Sequence, residues 1–202
     1  MKKLSAILAA MAISTSAFAA DGDFNKTGVV LEAEGQTFGI GLGTGATTDF
    51  SDSAQVLDLH LNNLPVTVGV KIVDDAVGNT RDTRVYVSKT FDMAVGQFGT
   101  AYVTPELSTT DGDSYTKREL RFAPTVGYAH QLGMLTPFVE AQYNWKSEEG
   151  DYTNFSKSDS STAVGVKMPV GSAVVSAAIV DERDADFKKL DREAVVKVSF
   201  KF

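Results

Sequence analysis

The chain has no cysteine, one tryptophan, two histidines and five prolines in 202 residues. The absence of cysteine excludes disulfides and thiol chemistry, so an exported form must be held by its core alone, which a chain of this length can build. Basic residues are too few for a phosphate-binding surface: 19 Lys and Arg face 26 Asp and Glu, for a net charge of −7. Contacts to a nucleic-acid backbone need clustered Lys and Arg, so no nucleic-acid partner is expected. Long apolar runs are missing past Ala20, which excludes a helical membrane span of roughly 20 residues from the rest of the chain. Catalytic signatures are missing as well. There is no Gly-x-Ser-x-Gly and no His-x-Ser, and the acidic stretches Asp111–Asp113 and Asp181–Asp186 lack calcium-loop spacing. Neither an enzyme nor a bound metal or cofactor is expected.

The N-terminus carries an address. Met1-Lys2-Lys3 is a basic start, Leu4 to Phe18 is apolar and small, and Ala17-Phe18-Ala19 is a small-x-small site. The pattern predicts a signal peptide over residues 1–19, cleaved after Ala19, and a single domain over residues 20–202. An uncleaved anchor is the alternative, but the apolar run is short for a span.

From there the chain reads as alternating segments. Leu57, Leu59 and Leu61 oppose Asp58 and His60. Val68, Val70 and Ile72 oppose Gly69 and Lys71. Val85 and Val87 oppose Arg84 and Tyr86. Leu120, Phe122, Val126 and Tyr128 oppose Glu119, Arg121, Thr125 and Gly127. Val139, Ala141, Tyr143 and Trp145 oppose Phe138, Glu140, Gln142 and Asn144. Val164, Val166 and Met168 oppose Ala163, Gly165 and Lys167. Segments 93–103 and 172–180 mix small residues on both faces, and their facing stays unassigned. The last stretch puts Ala194, Val196, Val198, Phe200 and Phe202 on one face and Glu193, Lys197, Ser199 and Lys201 on the other, ending on an aromatic.

Connections sort by length. Short ones are read at 62–65, Phe91-Asp92-Met93, around Gln131-Leu132-Gly133, and at Pro169-Val170-Gly171. Long polar ones are read at 43–55, 74–82, 104–118, 146–160 and 181–192, and these carry roughly twice as many acidic as basic residues. Strict long–short alternation predicts an all-β, transmembrane, antiparallel up-and-down β-barrel of about ten strands, with eight or twelve as alternatives and both termini at the short-turn rim. Residues 27–43 strain this count. They are long for one strand and change face at Gly35, where either a bulge or a tight hairpin restores the pattern. The bulge keeps the strand number even and is the expectation. A soluble β-sandwich would also alternate, but it does not require sorted loops, aromatic rims and a terminal Phe together.

The terminal strand, through Val198, Phe200 and Phe202, resembles the closing strand of bacterial outer-membrane barrels. With the leader and the loop pattern, the chain resembles the small porin-like outer-membrane β-barrels of Gram-negative bacteria. That resemblance implies residence in the outer membrane. Its implied partners are outer-membrane lipid and lipopolysaccharide, the barrel-assembly machinery acting on the terminal strand, and small ions or solutes. Apolar faces toward lipid leave the polar faces inward. The expected lumen-lining set is Asp58, His60, Lys71, Arg84, Tyr86, Glu119, Arg121, Glu140, Gln142, Lys167, Glu193 and Lys197. The expected function is passive diffusion with a weak cation preference set by the acidic loops. The alternative is a non-conducting barrel with a structural or adhesive role through those loops. Arg121–Glu140 and Arg84–Glu119 pairs across the lumen would favour the second. A path lined by small residues would favour the first.

Overall fold

The computed structural model describes residues 27–46, 53–62, 64–75, 80–112, 118–148 and 154–202. The expected signal peptide and its cleavage site lie outside these residues. The described chain forms fourteen strand segments and no helix. They are β1 (Thr27–Glu34), β2 (Phe38–Ala46), β3 (Ser53–Leu61), β4 (Thr67–Asp75), β5 (Thr80–Ser88), β6 (Phe91–Val95), β7 (Gly99–Thr104), β8 (Glu106–Gly112), β9 (Glu119–Phe122), β10 (Thr125–His130), β11 (Thr136–Glu148), β12 (Ser156–Val170), β13 (Ala173–Asp184) and β14 (Lys189–Lys201).

Three pairs of segments are single staves with a local break. β5 and β6 break at Lys89-Thr90, β7 and β8 at Pro105, and β9 and β10 at Ala123-Pro124. Proline has no N–H to give to a ladder, which accounts for the second and third breaks. The breaks lie side by side: the Lys89 amide donates to the Pro105 carbonyl, and the Ala123 amide to the Glu106 carbonyl. Register is unbroken across them, since Ser88↔Glu106 and Phe91↔Val103 belong to one antiparallel alignment. The described residues therefore make eleven staves. They close into a barrel, with neighbouring staves antiparallel except at one seam.

That seam corrects the expected count. Gly35 is no bulge. The Gly35 amide donates to the Phe38 carbonyl at 2.9 Å, and β1 folds back on β2 as a tight hairpin. The face change is satisfied because Leu31 pairs with Leu42 and Ala33 with Ile40, which keeps all four on one face. The additional stave makes the number odd. β1 then runs parallel to β14, with Val29 beside Val196 and Leu31 beside Val198. The described chain ends therefore sit at opposite rims: Thr27 at the long-loop rim, and Phe202 at the short-turn rim.

Two further boundaries differ from the sequence reading. The turn read at Phe91–Met93 lies at Gly96–Phe98, and residues 91–95 are strand. Long connections are shorter than their polarity suggests, because 106–112, 156–160, 181–184 and 189–192 belong to strands. A stave rising above an apolar belt has polar residues on both faces, so polarity alone hides its continuation. Gly96, Gly133 and Gly171 turn three of the short connections with φ of 66°, 63° and 62°, a conformation that a side chain disfavours.

The barrel is inverted relative to a soluble core. Its largest fully buried side chains are all polar: Lys197, Gln142, Glu140, Thr110, Thr125 and Ser176. The outward face exposes Leu31, Leu42, Leu59, Phe122, Val139, Val164 and Ile179, among many others. Segments 93–103 and 172–180 now have a facing. Tyr102, Ser176 and Val180 point inward, and Met93, Val103 and Ile179 point outward.

The cysteine-free background allows a direct check of the seam. Val29→Cys with Val196→Cys, and separately Leu31→Cys with Val198→Cys, should each form a disulfide on oxidation of the folded protein. Antiparallel closure could align one of these pairs but not both, so non-reducing gel mobility of the two variants decides between the closures.

Candidate luminal site

Every member of the expected lumen set faces the barrel interior. Lys71, Arg84, Tyr86, Arg121, Glu140, Gln142, Lys167, Glu193 and Lys197 are buried, and Asp58, His60 and Glu119 are partly buried. They form several groups rather than one cluster. Asp58, His60, Lys71, Arg84 and Tyr86 converge at the short-turn end, together with Glu34, Asn62, Glu106 and Lys201, around a cavity of about 590 Å³. On another part of the wall Arg121 donates to Asn144 Oδ1 at 2.7 Å and to Gln142 Oε1 at 3.2 Å, and Gln142 donates to Thr125. A third group joins Lys197 to Glu32 in a buried ion pair at the β1–β14 seam, with Ser199 donating to the same carboxylate at 3.1 Å. Glu119 lies 3.6 Å from Lys146, which also approaches Asp159.

Rings laid over glycines organise this wall. Gly39 faces His60, Gly69 faces Tyr86, Gly127 faces Tyr102, and Gly165 faces Phe138 in the strand registers. In each pair a Cβ on the glycine would fall inside the van der Waals envelope of the ring. The missing side chain lets the ring lie down on the neighbouring strand. Three of these rings then reach a carboxylate one stave further on. His60 Nε2 meets Glu34 Oε1 at 2.8 Å, the Tyr86 hydroxyl donates to Asp58 at 2.8 Å, and the Tyr102 hydroxyl donates to Glu140. The fourth ring, Phe138, lies under the Lys167 ammonium, 4.5 Å from its centroid, a cation–π contact.

His60 is the branch point of the short-turn group. Its Nδ1 approaches Asp58 Oδ1 at 3.3 Å, and Asn62 donates to the second oxygen of Glu34 at 2.7 Å. Both imidazole nitrogens thus face carboxylate oxygens. A ring that donates from both nitrogens satisfies this arrangement.

Neither ion pair considered in the sequence reading as a crossing of the lumen is the contact seen here. Arg121 bonds Asn144 and Gln142, Arg84 donates to Thr110 at 3.3 Å, and Glu140 accepts from Tyr102. All of these join adjacent or next-but-one staves. The sequence reading missed Glu32, Glu34, Tyr102 and Asn144 as partners. Glu32 and Glu34 were hidden by the face change at Gly35, and Tyr102 lay in a segment of mixed small residues. The apolar part of the inner wall was also missed: Val30, Val56, Val180 and Val195 are buried together, with Val73 against them.

At the chain end, Val198 pairs with Leu31 and Val175, and Phe200 with Ala33 and Ala173. The Phe202 amide donates to the Glu34 carbonyl at 3.1 Å, and its ring meets Phe38 edge-on at 5.6 Å. A side chain at Gly35 would approach the Phe202 ring within 2.9 Å, so the hairpin glycine also makes room for the terminal aromatic.

No protein-family model matches this sequence, and no curated protein matches it significantly.

Two stability outcomes follow from this wall. Gly69→Ala should lose roughly 1–3 kcal/mol by displacing the Tyr86 ring. Gly41→Ala should lose less, because its nearest neighbour is the Asp58 Cβ at 3.3 Å. Urea unfolding of the refolded protein measures both. Lys197→Met should cost roughly 3–5 kcal/mol by leaving the Glu32 carboxylate buried without its cation, and adding Glu32→Leu should restore most of it.

Proposed function

We propose that this protein is an outer-membrane barrel whose polar lumen passes small ions or solutes by passive diffusion. The observation that carries this reading is the direction of the interior contacts. The polar side chains described above bond along the wall, and the rings lie flat on it, beside a cavity of about 590 Å³ at the short-turn end. The membrane part of the proposal rests on the inverted burial. Closed barrels satisfy backbone hydrogen bonding in lipid, and so continuous an apolar exterior is rare on a protein that meets only water. Tyr143 and Trp145 on the outward face near the long-loop rim, and Phe200 and Phe202 at the other, suit headgroup depth. Bilayer lipid and lipopolysaccharide are then its surroundings, and the exposed face of Val198, Phe200 and Phe202 is the part offered to the barrel-assembly machinery.

Selectivity should be weak. Three carboxylates, Glu34, Asp58 and Glu106, and three cations, Lys71, Arg84 and Lys201, line the cavity beside His60. Their near balance leaves the acidic long connections to tip the channel toward cations. One observation favours the non-conducting alternative: Lys197, Glu140 and Gln142 are almost wholly inaccessible, so their part of the interior is filled.

Single-channel recording of the refolded protein under a salt gradient separates the two. Discrete steps with a cation-leaning reversal potential are expected. Lys71→Glu should increase that preference and Glu106→Lys should reverse it, both more strongly at low salt. A protein that folds but never conducts would overturn the channel reading and leave the loops as the working surface.

A further inference from the structure

The barrel is closed, yet one of its segments is an open edge. β6 pairs with β7 on one side and, among the described residues, with no strand on the other, because its neighbour stave begins only at Thr67, beside Ser88. The backbone pattern says which groups are left over. Lys89 N–H bonds the Pro105 carbonyl, and Phe91↔Val103, Met93↔Ala101 and Val95↔Gly99 continue that register. Antiparallel pairs alternate between hydrogen-bonded and non-hydrogen-bonded positions. The odd residues therefore spend their N–H and C=O groups on β7. Thr90, Asp92 and Ala94 aim theirs at the free side, where no described residue meets them. The next ladder agrees: Gln131 N–H bonds the Phe98 carbonyl at 2.8 Å, which turns Thr100, Tyr102 and Thr104 toward β10 and away from β6.

The side chains of β6 are exposed throughout. Phe91, Met93 and Val95 form an outward apolar row, continued by Phe98. Asp92 points to the other face and has no ion pair or side-chain hydrogen bond among the described residues. An exposed apolar edge with aligned free amides and carbonyls is a template for another strand.

We infer that β6 is a docking edge for an extended segment of another polypeptide, which adds a strand of about five residues beside Thr90–Ala94 and sets a Lys or Arg next to Asp92. Apolar residues at alternate positions of that segment extend the Phe91–Met93–Val95 row. The backbone groups require a strand rather than a helix or a lipid chain, and the Asp92 carboxylate sets the charge. A second copy of this chain is the poorer occupant. Antiparallel β6–β6 pairing brings two Asp92 carboxylates together across the new ladder, and like charges so placed are destabilising. This inference does not depend on whether the lumen conducts.

The test uses the full protein in lipid nanodiscs and two synthetic heptapeptides of alternating Val and Thr, one centred on Lys and one on Glu. Residue-resolved amide exchange should show Asp92 and Ala94 unprotected in the protein alone and protected by the Lys peptide. The Lys peptide should bind at least about tenfold tighter than its Glu twin, and Asp92→Lys should invert that order. Ala94→Pro removes an N–H that the β6–β7 ladder does not use. It should abolish docking while Phe91 and Met93 stay protected, which shows the hairpin intact. Asp92 and Ala94 amides already protected without peptide, binding of neither peptide, or binding indifferent to both substitutions would each overturn the proposal.

Discussion

A sheet that closes on itself must match its last strand to its first, and here the match is a parallel ladder between β1 and β14. Seven residue pairs from Gly28↔Val195 to Glu34↔Lys201 carry it. Everything else in the barrel is hairpin-connected and local, whereas this ladder joins opposite ends of the chain. The Lys197–Glu32 ion pair is buried against the seam, and Phe202 reaches the Glu34 carbonyl at its end. Long-range pairing of this kind costs chain entropy before it returns any contact. The seam is thus the step on which the separation of an apolar exterior from a polar interior depends.

Inside the closed wall, a narrow barrel with large polar residues faces a packing problem. Side chains projecting toward the axis would collide or bury charge without a partner. The glycine–ring pairs relieve this by laying His60, Tyr86, Tyr102 and Phe138 sideways onto Gly39, Gly69, Gly127 and Gly165. Each polar ring then finds a carboxylate along the circumference. Small residues on one strand and rings on the next are one packing device, so the abundance of inward glycine says less about an empty lumen than composition alone suggests.

Closure and openness meet at β6. The stagger of tilted staves lets the β6–β7 hairpin extend past the start of β4, so the ladder that seals the rest of the wall stops short there. The same stave is a sealed wall over β5 and an unpaired edge over β6. Its apolar row continues that of the barrel exterior, while on one side its backbone meets no other described strand. A bare edge of this kind belongs in water or against a partner strand, not in lipid.

Much of the architecture was legible in the residues. Period-two alternation assigned an inward face to Asp58, Lys71, Arg84, Arg121, Glu140, Gln142 and Lys167, because strand geometry sends adjacent side chains to opposite sides whatever the partner strand is. Alternation could not decide Gly35, since a bulge and a hairpin both restore the face of Leu31 and Ile40, and only pairing with a second strand tells them apart. It could not find Glu34 or Tyr102 as partners, because a ring reaching over a glycine joins residues on next-but-one staves, and that adjacency is set by register. By itself, then, the sequence determined which side of the sheet the side chains of the cleanly alternating segments take. The tertiary structure decided how many staves close, in which direction the seam runs, which charges meet, and which edge stays open, because each of these depends on interstrand hydrogen bonds between residues distant along the chain.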